Sequence, residues 1–270
     1  MKKLILILLS VATATLMFSS CSKKNDEVKP FAKNYVLVHG AWQAPYVWNA
    51  VKATLINEGN NVTVVELPGH GSDNTAPSTL TLNTYRDKVM AAVSKMDGKV
   101  ILVGHSLGGM IISAVAEQMP TKIEKLVYLA AYLPTSGQSL FALAMTDPGS
   151  QLGIPGNLII SGPIADVKQD QIVNIFIQDG ARQVQDLLLQ NYRPEPAIPL
   201  TDTVKLTPAN FGSVEKVYIK TLQDHVVSPG LQDRMIASGN VKTVYQLNTS
   251  HSAFLAKPDS VAILLTKIGQ

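Results

Sequence analysis

Short apolar runs alternate along this chain with longer stretches in which apolar residues recur every three or four positions. The runs predict buried strands, and the periodic stretches predict helices. The predicted strands are Asn34–Val38, Val62–Glu66, Lys99–Val103, Ile123–Ala130, Glu215–Thr221 and Val241–Leu247. The predicted helices are Trp48–Glu58, Leu82–Met96, Gly109–Ala116, Gly230–Ala237 and Val261–Lys267. Because strands alternate with helices, we expect an α/β fold with a mostly parallel, doubly wound sheet covered on both faces.

The strand Lys99–Val103 runs directly into Gly104-His105-Ser106-Leu107-Gly108, and a predicted helix follows. This is the Gly-x-Ser-x-Gly pattern of a nucleophile elbow, a sharp turn that holds a serine hydroxyl exposed in a strained backbone conformation. Gly104 and Gly108 suit the turn because a side chain there would clash with the neighbouring strand or helix. We therefore predict that Ser106 is a nucleophile, with the N-terminus of the following helix directing positive potential at the site.

A serine nucleophile needs a base, and the base needs an acid to orient it; on such an elbow the chain order is serine, acid, histidine. His251 follows the last predicted strand, at the carboxyl end where the sites of open α/β sheets gather. Asp224 ends the preceding strand, whereas Asp233, the competing acid, falls within a predicted helix. We predict a triad of Ser106, Asp224 and His251. The other histidines fit other places in the sequence: His39 in an oxyanion-loop motif, His70 in a Pro-Gly-His-Gly turn, His105 in the elbow and His225 beside an acid.

The tetrahedral intermediate of acyl transfer needs two backbone donors for its oxyanion. One is predicted at the amide of Leu107, directly after the nucleophile, and the other at the amide of Ala41, in the loop after the first strand. Neighbours of these catalytic groups in the sequence are the predicted substrate-binding residues: Gly40, Trp42, His105 and Ser252.

The stretch from Leu133 to Leu206 interrupts the alternation of strands and helices. It is rich in proline, with helical patches at Ser139–Met145 and Gln169–Gln190, and it falls between two core strands. We predict an inserted helical cap at about residues 134–206, over the active site. Its apolar residues either line a substrate pocket or pack the cap onto the core, and the sequence does not separate the two roles: Leu140, Phe141, Leu152, Ile154, Leu158 and Phe176.

Several motifs together resemble the plant methylesterase and hydroxynitrile lyase family and its bacterial relatives. They are Val36–Trp42 with Trp48 following, Glu66–Gly71, Val103–Gly109, Tyr128–Pro134 and Phe211–Val214 with the strand up to Asp224. The resemblance runs from Tyr35 to the C-terminus and is weakest across the cap. It implies an α/β-hydrolase fold in which Ser106, Asp224 and His251 form the triad.

Two positions separate the chemistries of this family. Its lyases resemble one another in a threonine where Gly40 stands here, and in a lysine where Ser252 follows the catalytic histidine. That lysine stabilises departing cyanide, and a serine cannot supply its charge. The resemblance therefore implies a carboxylesterase-type hydrolase, in which Ser106 is acylated and His251 activates water. A hydroxynitrile lyase, a receptor-like or non-catalytic binding protein, and an amidase or lactonase are the alternatives.

The first twenty residues predict a signal peptide, because Lys2 and Lys3 precede an apolar stretch that is too short and wrongly flanked for a spanning helix. Cys21, the one cysteine of the chain, follows two small residues and resembles the acylated cysteine of bacterial lipoproteins. Residues 21–33 are then a lipidated cysteine and a flexible tether, and residues 34–270 the α/β-hydrolase domain. We expect an exported bacterial lipoprotein of the cell envelope, on the periplasmic or surface face of the outer membrane.

Charge and cysteine content exclude other classes of function. Removal of Lys2 and Lys3 with the signal peptide lowers the formal net charge from +3 to +1, which does not favour binding of nucleic acid. One cysteine forms no disulfide within the chain, and the histidines and acids lack metal-ligand spacing. We expect a small-molecule ester as partner, no cofactor, no metal, no nucleic acid, and membrane contact only through the lipid at Cys21. The oligomeric state stays open, a dimer included.

Overall fold

A computed structural model of the chain describes residues 32–270. The predicted signal peptide, the predicted lipidation site at Cys21 and most of the predicted tether lie outside these residues. The last residue of the predicted tether, Lys33, places its Nζ atom 2.6 Å from Oε1 of Glu124. Among the helices of residues 32–270, none combines the length and the hydropathy that a membrane span needs.

Strands from across the described chain form a core sheet and a smaller sheet in the cap. In chain order they are β1 (Asn34–Val38), β2 (Asn61–Val65), β3 (Val100–His105), β4 (Ile123–Leu129), β5 (Leu158–Ser161), β6 (Ile164–Val167), β7 (Glu195–Pro196), β8 (Glu215–Thr221) and β9 (Thr243–Leu247). The core sheet has six strands in the order β2-β1-β3-β4-β8-β9. Every neighbouring pair in it is parallel, which confirms the predicted α/β fold.

Helices connect these strands and pack against the sheet. They are α1 (Asn49–Asn57), α2 (Leu82–Ser94), α3 (Gly108–Gln118), α4 (Leu140–Ala144), α5 (Ile172–Phe176), α6 (Arg182–Asn191), α7 (Ile198–Thr201), α8 (Pro229–Ser238), α9 (Ala253–Ala256) and α10 (Pro258–Gly269). Helix α1 packs against α10, and α2 packs against α3. Strand β3 is buried along its whole length between β1 and β4, as expected for a central parallel strand with apolar side chains on both faces.

The cap lies between β4 and β8 and is not wholly helical. Besides α4 to α7 it contains an antiparallel sheet in the order β5-β6-β7. Strands β5 and β6 form a hairpin around Gly162, whose φ of 57° suits a tight turn. A four-residue strand such as Leu158–Ser161, with three apolar residues and a serine, is too short for periodicity to distinguish it from a helix. The sequence therefore predicted helices alone in the cap. The predicted helical patch Gln169–Gln190 is divided into α5 and α6 by a segment that includes Gly180.

Candidate active site

The predicted elbow forms at the junction of β3 and α3. Ser106 follows the last residue of β3, and its φ of 53° puts it in the left-handed region. This conformation costs a non-glycine residue about 1–3 kcal/mol, so the surroundings must hold it. The carbonyl oxygen of Ser106 accepts hydrogen bonds from the amides of Gly109 (3.0 Å) and Tyr132 (3.1 Å), and its amide donates to the carbonyl of Leu129 (3.4 Å). The end of β4 thus fixes the serine in its strained position.

The glycines around Ser106 are required by close approach. A Cβ atom on Gly104 would lie 2.6 Å from the carbonyl carbon of Gly108, and one on Gly108 would lie 3.0 Å from the carbonyl oxygen of Val38. A Cβ atom on Gly40 would lie only 2.7 Å from Cβ of Ser106. The loop after β1 therefore packs directly against the predicted nucleophile.

The structure brings Asp224 and His251 together in the core. Nδ1 of His251 lies 2.8 Å from Oδ2 of Asp224, and both side chains are buried. Oδ2 also accepts from the hydroxyl of Thr221 at 2.7 Å. Oδ1 accepts from the amides of Val226 (2.8 Å) and Val227 (2.9 Å). Because Nδ1 faces a carboxylate, it carries the proton, and Nε2 is left as the basic nitrogen.

The competing acid, Asp233, makes a different contact. Its Oδ1 lies 2.5 Å from Nζ of Lys220, and its side chain is 63% exposed. In the described structure the partner of His251 is therefore Asp224 and not Asp233.

Two predicted substrate-binding residues, His105 and Ser252, make hydrogen bonds at or beside His251. His105 Nε2 donates to the carbonyl oxygen of His251 at 3.0 Å, and the two rings lie 4.5 Å apart. Burial, reinforced by the neighbouring His251, holds the pKa of His105 well below its usual value, so its ring is neutral. Ser252 is fully buried, and its hydroxyl accepts from Nε2 of Gln43 at 3.0 Å. These hydrogen bonds direct both side chains into the protein, and neither lines the cavity.

A cavity of about 270 Å³ opens onto Ser106. The core contributes Ala41 and Trp42 to its wall, and the cap contributes most of the rest. Five of the six apolar cap residues singled out in the sequence line it: Leu140, Phe141, Leu152, Ile154 and Leu158. Phe176 instead packs on Trp42, with ring centroids 5.5 Å apart. Of the four predicted substrate-binding residues, Trp42 lines the cavity, whereas Gly40, His105 and Ser252 are absent from the lining.

The wall of this cavity carries no charged side chain among the described residues. A larger groove of about 840 Å³ lies between Pro134–Ser136 and Phe211–Lys216, but it contains none of the predicted catalytic residues. We therefore place the site in the smaller cavity, where the nucleophile is. Within residues 32–270, no three His, Cys, Asp or Glu side chains gather closely enough to hold a metal ion.

One buried acid beside the site was missed in the sequence. Glu195, in the cap, accepts from the amide of Trp42 at 3.0 Å and lies 2.7 Å from Nε2 of His70. The sequence placed His70 only in a turn. No local pattern identifies this contact, because its partners are 125 residues apart. The one hint is that Glu195 is the single glutamate of the predicted cap.

Comparison with known proteins gives consistent matches. A model described as "Alpha/beta hydrolase family" matches residues 35–263. The chain is 31% identical to "Putative methylesterase 11, chloroplastic" of Arabidopsis thaliana over 249 residues, which is 88% of this chain and 64% of that protein. It therefore spans less than two thirds of that relative. It is 29% identical to Methylesterase 17 of Arabidopsis thaliana over 266 residues, 89% of this chain and 94% of that protein.

Solved structures agree with the fold. Polyneuridine aldehyde esterase superposes with a TM-score of 0.79 at 23% identity, over 88% of this chain and 100% of that chain. A pyrethroid hydrolase from Sphingobium faniae JZ-2 superposes with a TM-score of 0.76 at 22% identity, over 88% of this chain and 97% of that chain. At these identities, the likeness shows the fold alone.

Proposed function

The chain belongs to the alpha/beta hydrolase family, and from this premise we propose that it is a serine esterase that cleaves carboxylic esters of small molecules. The observation that carries the proposal is the buried pair of Asp224 and His251. The carbonyl of His251 accepts a hydrogen bond from His105, the residue directly before the elbow serine Ser106. That serine opens into an apolar cavity. Similarity to methylesterases supports an ester as the substrate.

The proposed reaction proceeds through an acyl-enzyme. Ser106 Oγ bonds to the ester carbonyl carbon while its proton passes to Nε2 of His251, and the oxyanion is held by the amides of Ala41 and Leu107. The carbon–oxygen bond to the alcohol then breaks, and His251 returns the proton to the leaving alcohol. Water attacks the acyl-enzyme by the same route and releases the acid. Asp224 holds the ring of His251 in the required tautomer.

The cavity favours small, uncharged substrates. Its wall is apolar, and transfer of an unpaired charge into such surroundings is strongly unfavourable. We therefore propose an ester whose acyl and alcohol parts are both uncharged and largely apolar. Of the cap residues that line the cavity, Ile154 is 51% exposed and Ile160 is 54% exposed, so the opening is apolar as well.

Two features of the site support hydrolysis over cyanide release. The lyases of the resembling family have a threonine where Gly40 stands, and a Cβ atom there would lie 2.7 Å from Cβ of Ser106. Ser252 occupies the place of their lysine, carries no charge and is turned toward Gln43. No observation in the described residues favours the lyase reaction.

We further propose that the protein is an exported lipoprotein held at the cell envelope by acyl chains on Cys21. The support is the sequence alone: a charged start, an apolar stretch and small residues before the cysteine. Acyl chains contribute about 0.8 kcal/mol of membrane binding for each buried methylene, so two or more chains would anchor the domain.

The test is hydrolysis by the full chain of a panel of p-nitrophenyl and methyl esters with short-chain and aromatic acids. Ser106→Ala should lose all measurable turnover. Ser113→Ala is the matched control, because Ser113 is a buried serine of α3 that bonds to Gly109 and Tyr128 away from the cavity. Turnover by Ser106→Ala near the wild-type rate would refute the nucleophile. A folded wild-type protein that hydrolyses no ester would refute the esterase, and mandelonitrile cleavage would then identify a lyase.

A further inference from the structure

A buried carboxylate of the cap reaches into the core beside the site. The side chains of Glu195 in β7 and His70 in the loop after β2 are both fully buried, with Oε2 of Glu195 2.7 Å from Nε2 of His70. The same Oε2 accepts from the amide of Trp42 at 3.0 Å. Oε1 accepts from the hydroxyl of Tyr85 at 3.2 Å. One acid thus joins the cap, α2 and the loop after β1.

The geometry around His70 favours a charged ring. Its Nδ1 lies 3.0 Å from the carbonyl oxygen of Pro68, and its Nε2 faces the Glu195 carboxylate. Both neighbours accept hydrogen bonds, so both ring nitrogens must carry protons. Burial by itself would lower the pKa of His70, but the Glu195 charge and hydrogen bonds raise it above its usual value, against a small opposing effect of Arg193.

The neighbouring histidine, His39, is uncharged. His39 lies 5.0 Å from His70 between ring centroids, donates from Nδ1 to the carbonyl of Gly40 and accepts the amide of Leu67 at Nε2. Burial and the proximity of His70 lower the pKa of His39 to about 3, so it stays neutral. The remaining titratable groups around His70 are Tyr85, whose ring lies 5.6 Å away, and Asp73, which bonds to the amide of Gly69.

The loop that this ion pair holds is under backbone strain. Trp42 has a φ of 60°, in the left-handed region that an aromatic residue rarely adopts. Every polar group of Trp42 is held by the cap: its amide by Glu195, its carbonyl by the amide of Arg193 (3.4 Å), and its indole N–H by the carbonyl of Ala165 (2.9 Å). The residue directly before it is Ala41, the proposed oxyanion donor.

We propose that Glu195, paired with His70, is a positioning residue that fixes the loop of Ala41 and Trp42 so that the Ala41 amide points at the oxyanion. This inference rests on the proposed esterase function. A buried ion pair contributes little net stability, so the pair is better explained by the strained loop it holds. Neutral His70 would turn a lone pair toward Glu195 or Pro68. The loop therefore keeps its geometry while His70 is charged and loses it as the pH rises through the raised pKa of His70 in the folded protein.

The test is the Glu195→Gln variant of the full chain. We expect kcat for an ester to fall at least tenfold, less than the ~10²–10³-fold loss of a whole oxyanion donor, while KM changes less than about threefold. Binding of a trifluoromethyl ketone, which mimics the tetrahedral oxyanion, should weaken in parallel with kcat/KM. The alkaline fall of wild-type kcat should disappear in Glu195→Gln, because a glutamine can donate to neutral His70.

The matched control is Glu117→Gln. Glu117 is also a largely buried carboxylate that accepts two backbone amides, of Thr207 and Phe211, but it lies away from the loop. The Glu117→Gln variant should have a lower melting temperature and a kcat within about twofold of the wild-type value. Equal losses of kcat in the two variants, or an unchanged kcat in folded Glu195→Gln, would overturn the proposal.

A second readout does not depend on activity. In a Trp48→Phe background Trp42 is the only tryptophan, so its emission reports the loop. Glu195→Gln in this background should move the emission to longer wavelength as the indole gains water, whereas Glu117→Gln should not. An unchanged emission would overturn the positioning role. Absent ester turnover combined with the expected shift would refute the esterase and retain the positioning of the loop.

Discussion

Replacement of Asp224 by asparagine distinguishes the effect of this acid on the His251 ring from its effect on the stability of the fold. Oδ1 of Asp224 accepts two backbone amides, so the amide oxygen of an asparagine must occupy that place. Its NH₂ group then faces the other two partners, the hydroxyl of Thr221 and Nδ1 of His251. The hydroxyl of Thr221 can rotate to accept. Nδ1 of His251 must also become an acceptor, which moves the ring proton to Nε2.

In this tautomer, His251 can no longer act as the base. With its proton on Nε2, His251 cannot take the proton of Ser106. The same exchange in another serine hydrolase lowers kcat by ~10⁴-fold, which corresponds to about 5.5 kcal/mol at 1.36 kcal/mol per factor of ten. Stability should fall far less, by about 1–3 kcal/mol, because charge-assisted hydrogen bonds are replaced by neutral ones.

The assay is kcat and kcat/KM for a p-nitrophenyl ester, with melting temperatures measured in parallel. Asp233→Asn is the control, because Asp233 is exposed and pairs with Lys220; it should keep nearly all activity. The reasoning fails if Asp224→Asn loses less than tenfold in kcat while folded, or if Asp233→Asn loses as much.

Two further changes test other parts of the structure. Gly40→Ala should lower kcat at least ~100-fold, because its Cβ atom would lie 2.7 Å from Cβ of Ser106 and 2.9 Å from Nδ1 of His105. Gly230→Ala in α8, whose Cβ atom would meet no atom closer than 3.7 Å, should retain activity; comparable losses in both would reject the steric argument. Cys21→Ser should move the protein from the membrane fraction to the soluble fraction of the cell, and unchanged fractionation would contradict the lipid anchor.

The strands of the core sheet were predictable because each is marked by a short apolar run of neighbouring residues. β1 and β8 begin and end where the apolar runs do, at Asn34–Val38 and Glu215–Thr221. The elbow was equally visible, because a strand, a Gly-x-Ser-x-Gly turn and a helix follow one another without interruption. Asp224 was chosen over Asp233 from its place at a strand end, and in the structure it contacts His251.

What the sequence did not reveal depends on contacts between distant segments. The β5–β6 hairpin is built from runs too short to have a recognisable period, and Glu195 meets His70 across 125 residues. His105 and Ser252 adjoin predicted catalytic residues along the chain, but adjacency in sequence does not fix the direction of a side chain. Their hydrogen bonds to the His251 carbonyl and to Gln43 point them away from the cavity.

The attachment of Trp42 to the cap limits how freely the cap of this protein can be exchanged for another. Exchange of caps between relatives is an obvious way to alter substrate range, since the cap supplies most of the cavity wall. Here the same insertion also carries the groups that keep Trp42 at a φ of 60°: Glu195, Arg193 and the carbonyl of Ala165. From the proposed role of Glu195, we expect a chimera whose foreign cap lacks these three attachments to turn over every ester more slowly, whatever the shape of its cavity. Selection for new specificity should accordingly vary Leu152, Ile154 and Leu158 and leave Glu195 in place.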